Sequence, residues 1–126
     1  MPLVRIDLNT GKPAASRSEM GKLVHRAMVD VLGVPEDDRF QVIAEHPAGE
    51  LIVTPSYLGI AHGPDAVVIQ ITLNRGRSVE QKKAFYLRVA DDLHAQLGVP
   101  REDVIISLVE VAKENWSFGN GEAPYA

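Results

Sequence analysis

Val4, Ile6 and Leu8 alternate with Arg5 and Asp7, and the same period of two returns at Ile69, Ile71 and Leu73. That period puts the apolar side chains on one face of an extended chain, so each stretch predicts a half-buried strand. After the first strand, Met20, Leu23, Val24, Ala27, Met28, Val31 and Leu32 recur at three- and four-residue spacing, which is one face of a helix. Ser16 and Glu19 stand in a Ser-x-x-Glu capping box at its start. A second helix carries Phe85, Val89, Leu93 and Leu97 and opens at Ser78, with Gln81 in the box position. Gly33 and Gly98 sit where left-handed C-terminal caps belong, and Pro35 and Pro100 stop either helix continuing. Phe40, Val42 and Ala44 begin another alternating strand. Its counterpart, Val104 to Val109, is apolar nearly throughout and is therefore expected nearer the sheet centre.

These elements are one pattern written twice at an offset of 65 residues, which sets Pro2 against Val67. Val4 to Lys12 falls on Ile69 to Arg77 without a gap, Leu32-Gly33-Val34-Pro35 on Leu97-Gly98-Val99-Pro100, Asp38 on Asp103 and Glu45 on Glu110. The chain thus reads as a single α/β domain, residues 1–126, made of two βαβ halves at about 2–46 and 67–111. Residues 47–66 form the connector and 112–126 the tail; Leu51 to Val53 suggest a short strand inside the connector. Right-handed crossovers make each strand pair parallel, and two halves give one four-stranded mixed sheet with both helices on one face. The other face, with Leu3, Arg5, Val68 and Gln70, stays half wet in a monomer and is expected to be covered by identical subunits. The Gly- and Pro-rich tail from Trp116 is expected to pack over a neighbour or a site mouth.

Composition then narrows the function. With 13 Lys plus Arg against 17 Asp plus Glu, a net charge of −4 offers no basic field for a phosphate backbone, which argues against nucleic acid. Cys is absent, so disulfides, thiolate metal sites and Cys nucleophiles are excluded. No apolar run is long enough for a signal core or a membrane span, so a cytoplasmic protein is expected. His25, His46, His62 and His94 show no pair at metal-ligand spacing and read as structural. Neither a phosphate loop nor a dinucleotide fingerprint is present, and no cofactor is expected.

Candidate chemistry gathers where the two copies differ. Once an initiator Met is removed, Pro2 offers a secondary amine that no internal residue can supply, and a strand that starts at once would fix it in space. Arg75-Gly76-Arg77 falls at a strand-to-helix turn where the first copy has Thr10-Gly11-Lys12. It is either a solvated basic turn or a pair of forks for a carboxylate, which Arg binds bidentately. Asp38, present in both copies, caps the turn after the helix, or, beside a Pro2 ammonium, raises the amine's pKa and holds it cationic. Trp116 and Phe118 are core aromatics or the walls of a small dry pocket.

Four separated stretches resemble one known family in order: Pro2-Leu3, Gly33-Val34-Pro35-Glu36-Asp37-Asp38-Arg39-Phe40-Gln41, Arg75-Gly76-Arg77-Ser78 and Trp116-Ser117-Phe118-Gly119. They are similar to the tautomerase superfamily, and within it to the malonate semialdehyde decarboxylase group. The resemblance implies a tautomerase-type α/β (α+β) fold, a homotrimer, no cofactor and a small carboxylate-bearing substrate. It also implies Pro2 as catalytic amine, Asp38 as its carboxylate partner, Arg75 and Arg77 as the substrate clamp, and Trp116 and Phe118 as pocket walls. Tyr125 takes the place of a further pocket aromatic that is usually Phe. The implied activity is decarboxylation of a small 3-oxo acid with hydratase side activity. A 2-oxo acid tautomerase of the phenylpyruvate type is the nearest alternative, and a non-catalytic trimeric binding protein follows if Met1 is retained.

Overall fold

A computed structural model describes residues 2–126. Among them, strand β1 (Leu3–Asn9), helix α1 (Ala14–Leu32) and strand β2 (Phe40–His46) form the first half. A small hairpin, β3 (Ser56–Tyr57) and β4 (Ile60–Ala61), interrupts the connector. Strand β5 (Val67–Asn74), helix α2 (Val79–Leu97) and strand β6 (Val104–Val111) form the second half. The four long strands make one mixed sheet in the order β2-β1-β5-β6. β1 with β2 and β5 with β6 are parallel, while the two halves meet antiparallel across β1 and β5.

The period-two residues face the helices as expected. Val4, Ile6 and Leu8 of β1 and Val67, Ile69, Ile71 and Leu73 of β5 are buried, against Met20, Val24, Met28 and Leu32 of α1 and Phe85, Val89 and Leu93 of α2. Gly33 and Gly98 close the helices in the left-handed region at φ 70° and 68°, where a Cβ would be strained. Arg88 of α2 ties the helices together, donating to Asp30 at 3.0 Å and to Asp92 at 2.6 Å. The repeated Glu45 and Glu110 have one role each way: Glu45 pairs with Arg17 of α1 and Glu110 with Lys82 of α2.

Three expectations are corrected. β6 is an edge strand and not a central one, because the centre belongs to the antiparallel β1–β5 pair that opens both halves. Its apolar outer side chains are accordingly half exposed, Val109 at 37%. The Ser16–Glu19 capping box does not form, since the N-cap of α1 is Pro13, three residues before Ser16; the Pro13 carbonyl accepts from the Ser16 and Arg17 amides, and Pro13 at φ −59° suits a helix start. Ser78 and Gln81 do make the reciprocal box on α2. Leu51 to Val53 is not a strand, and the hairpin lies downstream. Its two-residue turn, Leu58 and Gly59 at φ 50° and 79°, has both residues left-handed, as a tight hairpin with right-handed strand twist requires.

The face away from the helices carries Leu3 and Val42, exposed at 43% and 45%, beside Arg5 and Gln70. Among the described residues, no helix is long and apolar enough to cross a membrane.

Candidate active site

The register brings one end of the sheet together. Leu3 lies opposite Phe40 on one side and Thr72 on the other, and Asn74 lies opposite Val111. The start of β1, the start of β2 and the ends of β5 and β6 therefore share an edge. Pro2, Asp38, Arg75, Arg77, Trp116 and Phe118 all belong to the segments entering or leaving that edge.

Pro2 is buried at the entry to β1. Removal of Met1 lies outside the described residues. Asp38 is also buried, at 6% exposure, in the turn two residues before Phe40, and its amide donates to the Pro35 carbonyl at 3.0 Å. That bond belongs to the backbone of the turn, and the register sets this turn two residues ahead of Phe40, the partner of Leu3 at the start of β1. Its repeat mate Asp103 sits at the opposite end of the sheet and accepts from the Gly63 amide at 2.7 Å, so that carboxylate serves the connector.

The two arginines diverge. Arg75 is exposed, held by its amide to the Val111 carbonyl at 3.1 Å. Arg77 is half-buried and donates from Nε to the Leu32 carbonyl and from Nη1 to the Asn74 carbonyl, both at 3.2 Å. It therefore ties the C-terminus of α1 to the end of β5 while lying in the same turn as Arg75. The turn is fastened further by Glu110, whose carboxyl titrates below its ordinary value because Lys82 donates to it at 2.6 Å, with the Gly76 amide and the Arg75 charge adding to the effect.

The tail supplies a wall. Phe118 stacks on Trp116 with centroids 5.3 Å apart and on Phe40 at 5.5 Å, and Tyr125 meets its edge at 6.1 Å. Trp116 is fixed by its Nε1–H, which donates to Asn74 Oδ1 at 2.7 Å. Leu3, Phe40, Trp116, Ser117 and Phe118 line a cavity of about 250 Å³, and Pro35, Asp37, Asp38 and Phe40 line a second of about 270 Å³ that shares Phe40 with it. Phe40 and Asn74 are the contributors that sequence reasoning missed. Phe40 is an aromatic at an otherwise outward-facing strand start, and Asn74 repeats Asn9, so both left a trace.

One end of the sheet thus carries an apolar slot that Leu3 helps to line, with the buried Pro2 one residue before it, the buried Asp38 two residues before Phe40, and the Arg75–Arg77 turn following β5. Among the described residues, no three His, Asp or Glu side chains gather as a metal site. Two family models described as tautomerase enzyme match residues 2–61 and 38–119.

The chain belongs to the tautomerase family. It is 40% identical over 123 residues to a probable tautomerase, YusQ, of Bacillus subtilis (strain 168), covering 98% of this chain and 97% of that one. A crystal structure of malonate semialdehyde decarboxylase, described with decarboxylase and hydratase activities, superposes with a TM-score of 0.88 at 36% identity, covering 98% of this chain and 95% of that chain. A fused 4-OT, a symmetric trimer, superposes with a TM-score of 0.79 at 26% identity, covering 95% and 94%.

Proposed function

We propose that this tautomerase-family protein is a cofactor-independent decarboxylase of a small 3-oxo acid, converting malonate semialdehyde and a proton to acetaldehyde and carbon dioxide. The observation that supports the reading is the Trp116–Phe118–Phe40 slot lined also by Leu3, in a chain 36% identical over nearly its whole length to a malonate semialdehyde decarboxylase.

In this mechanism the bond between the carboxylate carbon and the methylene breaks, and its electron pair moves toward the carbonyl oxygen. A Pro2 ammonium, kept charged by the Asp38 carboxylate, donates to that oxygen as the negative charge grows there. The resulting enol takes a proton on carbon to give the aldehyde. Holding the carboxylate equally well before and during reaction would not raise the rate, so Arg75 and Arg77 act by turning the scissile bond perpendicular to the carbonyl plane. Trp116 and Phe118 exclude water where the carboxylate charge disperses, and Tyr125 lies behind Phe118. Asp38 also serves to orient a water for hydration of acetylenic or unsaturated oxo acids.

A keto-enol tautomerase acting on a 2-oxo acid is the second reading, supported by the 40% identity to a probable tautomerase. Pro2 would then be neutral and shuttle a proton between carbon and oxygen. Retained Met1 would leave neither form of the amine and would favour a non-catalytic binding trimer. Protein made without an amino-terminal tag is expected to have lost Met1 by intact mass spectrometry, and to release acetaldehyde from malonate semialdehyde. Arg75→Ala should lower that turnover at least about tenfold, as loss of a positioned charge contact does. A protein that turns over phenylpyruvate enol alone, unaffected by Arg75→Ala, would sink the decarboxylase reading.

A further inference from the structure

The turn carrying Asp38 is held from helix α1 at two points. Upstream, His25 Nε2 lies 2.7 Å from the Glu36 carbonyl oxygen. A carbonyl only accepts, so Nε2 carries the proton and the ring donates. Downstream, Gln41 donates from Nε2 to the Gly21 carbonyl at 2.8 Å, and its Oε1 accepts twice from the Arg39 guanidinium, at 3.1 and 2.9 Å. Gly21 and His25 are one helical turn apart, so both tethers leave the same stripe of one rigid element. A Cβ on Gly21 would come within 2.6 Å of Gln41 Oε1, so this glycine leaves room for the Gln41 side chain against the helix. Asp38 lies between the tethers, two residues after Glu36 and three before Gln41.

His25 is a poor choice for packing alone. It is 7% exposed, and its Nδ1 is buried without a hydrogen-bond partner among the described residues. An aliphatic side chain would fill the same space without leaving a polar atom unmatched. What the imidazole adds is the reach to the Glu36 carbonyl.

We propose that His25, with Gln41 as its downstream counterpart, is a positioning residue that fixes the Glu36–Asp38 turn and so sets the Asp38 carboxylate against the start of β1. Neither residue touches substrate. The proposal rests on the reading of Asp38 as the partner of the Pro2 amine, and a titration of that amine by NMR, in protein labelled with 15N-proline, separates the two ideas without any substrate. The other charged groups at this end, Glu36 with its partner Arg26, Asp37, Arg39, Arg75 and Arg77, are retained in the Asp38, His25 and Gln41 variants; Gln41→Met also frees the Arg39 guanidinium, so its titration is compared with that of Arg39→Gln.

Asp38→Asn should lower the Pro2 pKa; if it does not, the Pro2–Asp38 pairing itself fails. Given that shift, His25→Leu should lower the Pro2 value in the same direction and reduce kcat about tenfold or more with KM changed less than about twofold, since geometry and not ground-state binding is disturbed. His25→Gln, whose amide nitrogen is as many bonds from Cα as Nε2, should restore kcat to within about threefold of the parent. Should His25→Leu fail to fold, Gln41→Met cuts the second tether and takes the same titration. A folded His25→Leu, or Gln41→Met in its stead, with an unmoved Pro2 pKa overturns the proposal, as does a His25→Gln that is no better than His25→Leu.

Discussion

Asp7 shows how one carboxylate is fixed on the exposed face of β1. It accepts two bonds from Arg5, both at 2.9 Å, and one from His46 Nε2 at 2.6 Å. Partial burial pushes its pKa up, but the bonds from His46 and Arg5 outweigh this and the carboxyl titrates below its ordinary value. Folding therefore favours the carboxylate, and the stabilisation is present above about pH 4, where the unfolded chain is ionised, and fades as pH falls through the folded value. Asp7→Asn is expected to lower the Tm at pH 7 by a few degrees, with a deficit that shrinks steadily below about pH 4. An equal deficit at every pH would contradict the assignment. Trp116 gives a second test at this scale, because it is the one Trp of the chain and its emission reports the slot alone. Asn74→Leu removes the acceptor of its Nε1–H and should shift the emission to the red, whereas Asn74→Asp keeps an acceptor oxygen and should hold it. Unchanged emission in Asn74→Leu would mean that stacking on Phe118 suffices to place the ring.

At the scale of elements, the helices and the sheet draw their stability from one apolar layer, in which Phe85 is the largest fully buried side chain. Phe85→Ala should destabilise the fold by about 3–5 kcal/mol in denaturant unfolding, the usual cost of emptying an aromatic site in a packed core. A loss below about 1 kcal/mol would show that α2 repacks without it. The long strands, the helices and their glycine caps were legible because period and punctuation agree there: Val4-Ile6-Leu8 and Ile69-Ile71-Leu73 can hide their apolar sides in one way only. Misreadings arose where a local signal competed with another. Ser16–Glu19 looked like a cap, but Pro13 had already begun the helix. The connector hairpin was missed because its turn is Leu58-Gly59, where a left-handed Leu replaces the Asn or Asp that usually announces such a turn. β6 was placed centrally because its sequence is apolar on both faces, and one chain's sequence does not tell cover by its own strands from cover by another subunit. For the proposed site, the repeat and the resemblance point to Pro2, Asp38, Arg75, Arg77 and the tail aromatics. They give no site role to Phe40 and Asn74, since the contacts of these two depend on how the tail folds back over the sheet end.

For the whole molecule, the exposed Leu3, Val42 and Val109 and the apolar β6 edge are a surface that would invite aggregation if left bare. We expect a homotrimer that covers it, and light scattering on a sizing column should give about three times 13.8 kDa. A stable monomer at micromolar concentration would refute that packing. The central claim concerns the charge on Pro2, and the measurement that tests it most directly is the pH dependence of kcat/KM for acetaldehyde release from malonate semialdehyde. The account predicts activity that is full where the Pro2 amine is protonated and is lost as pH rises through its pKa, with the descending limb moved to lower pH in Asp38→Asn. A rate that instead climbs through that pKa would assign catalysis to the neutral amine and contradict the decarboxylase mechanism.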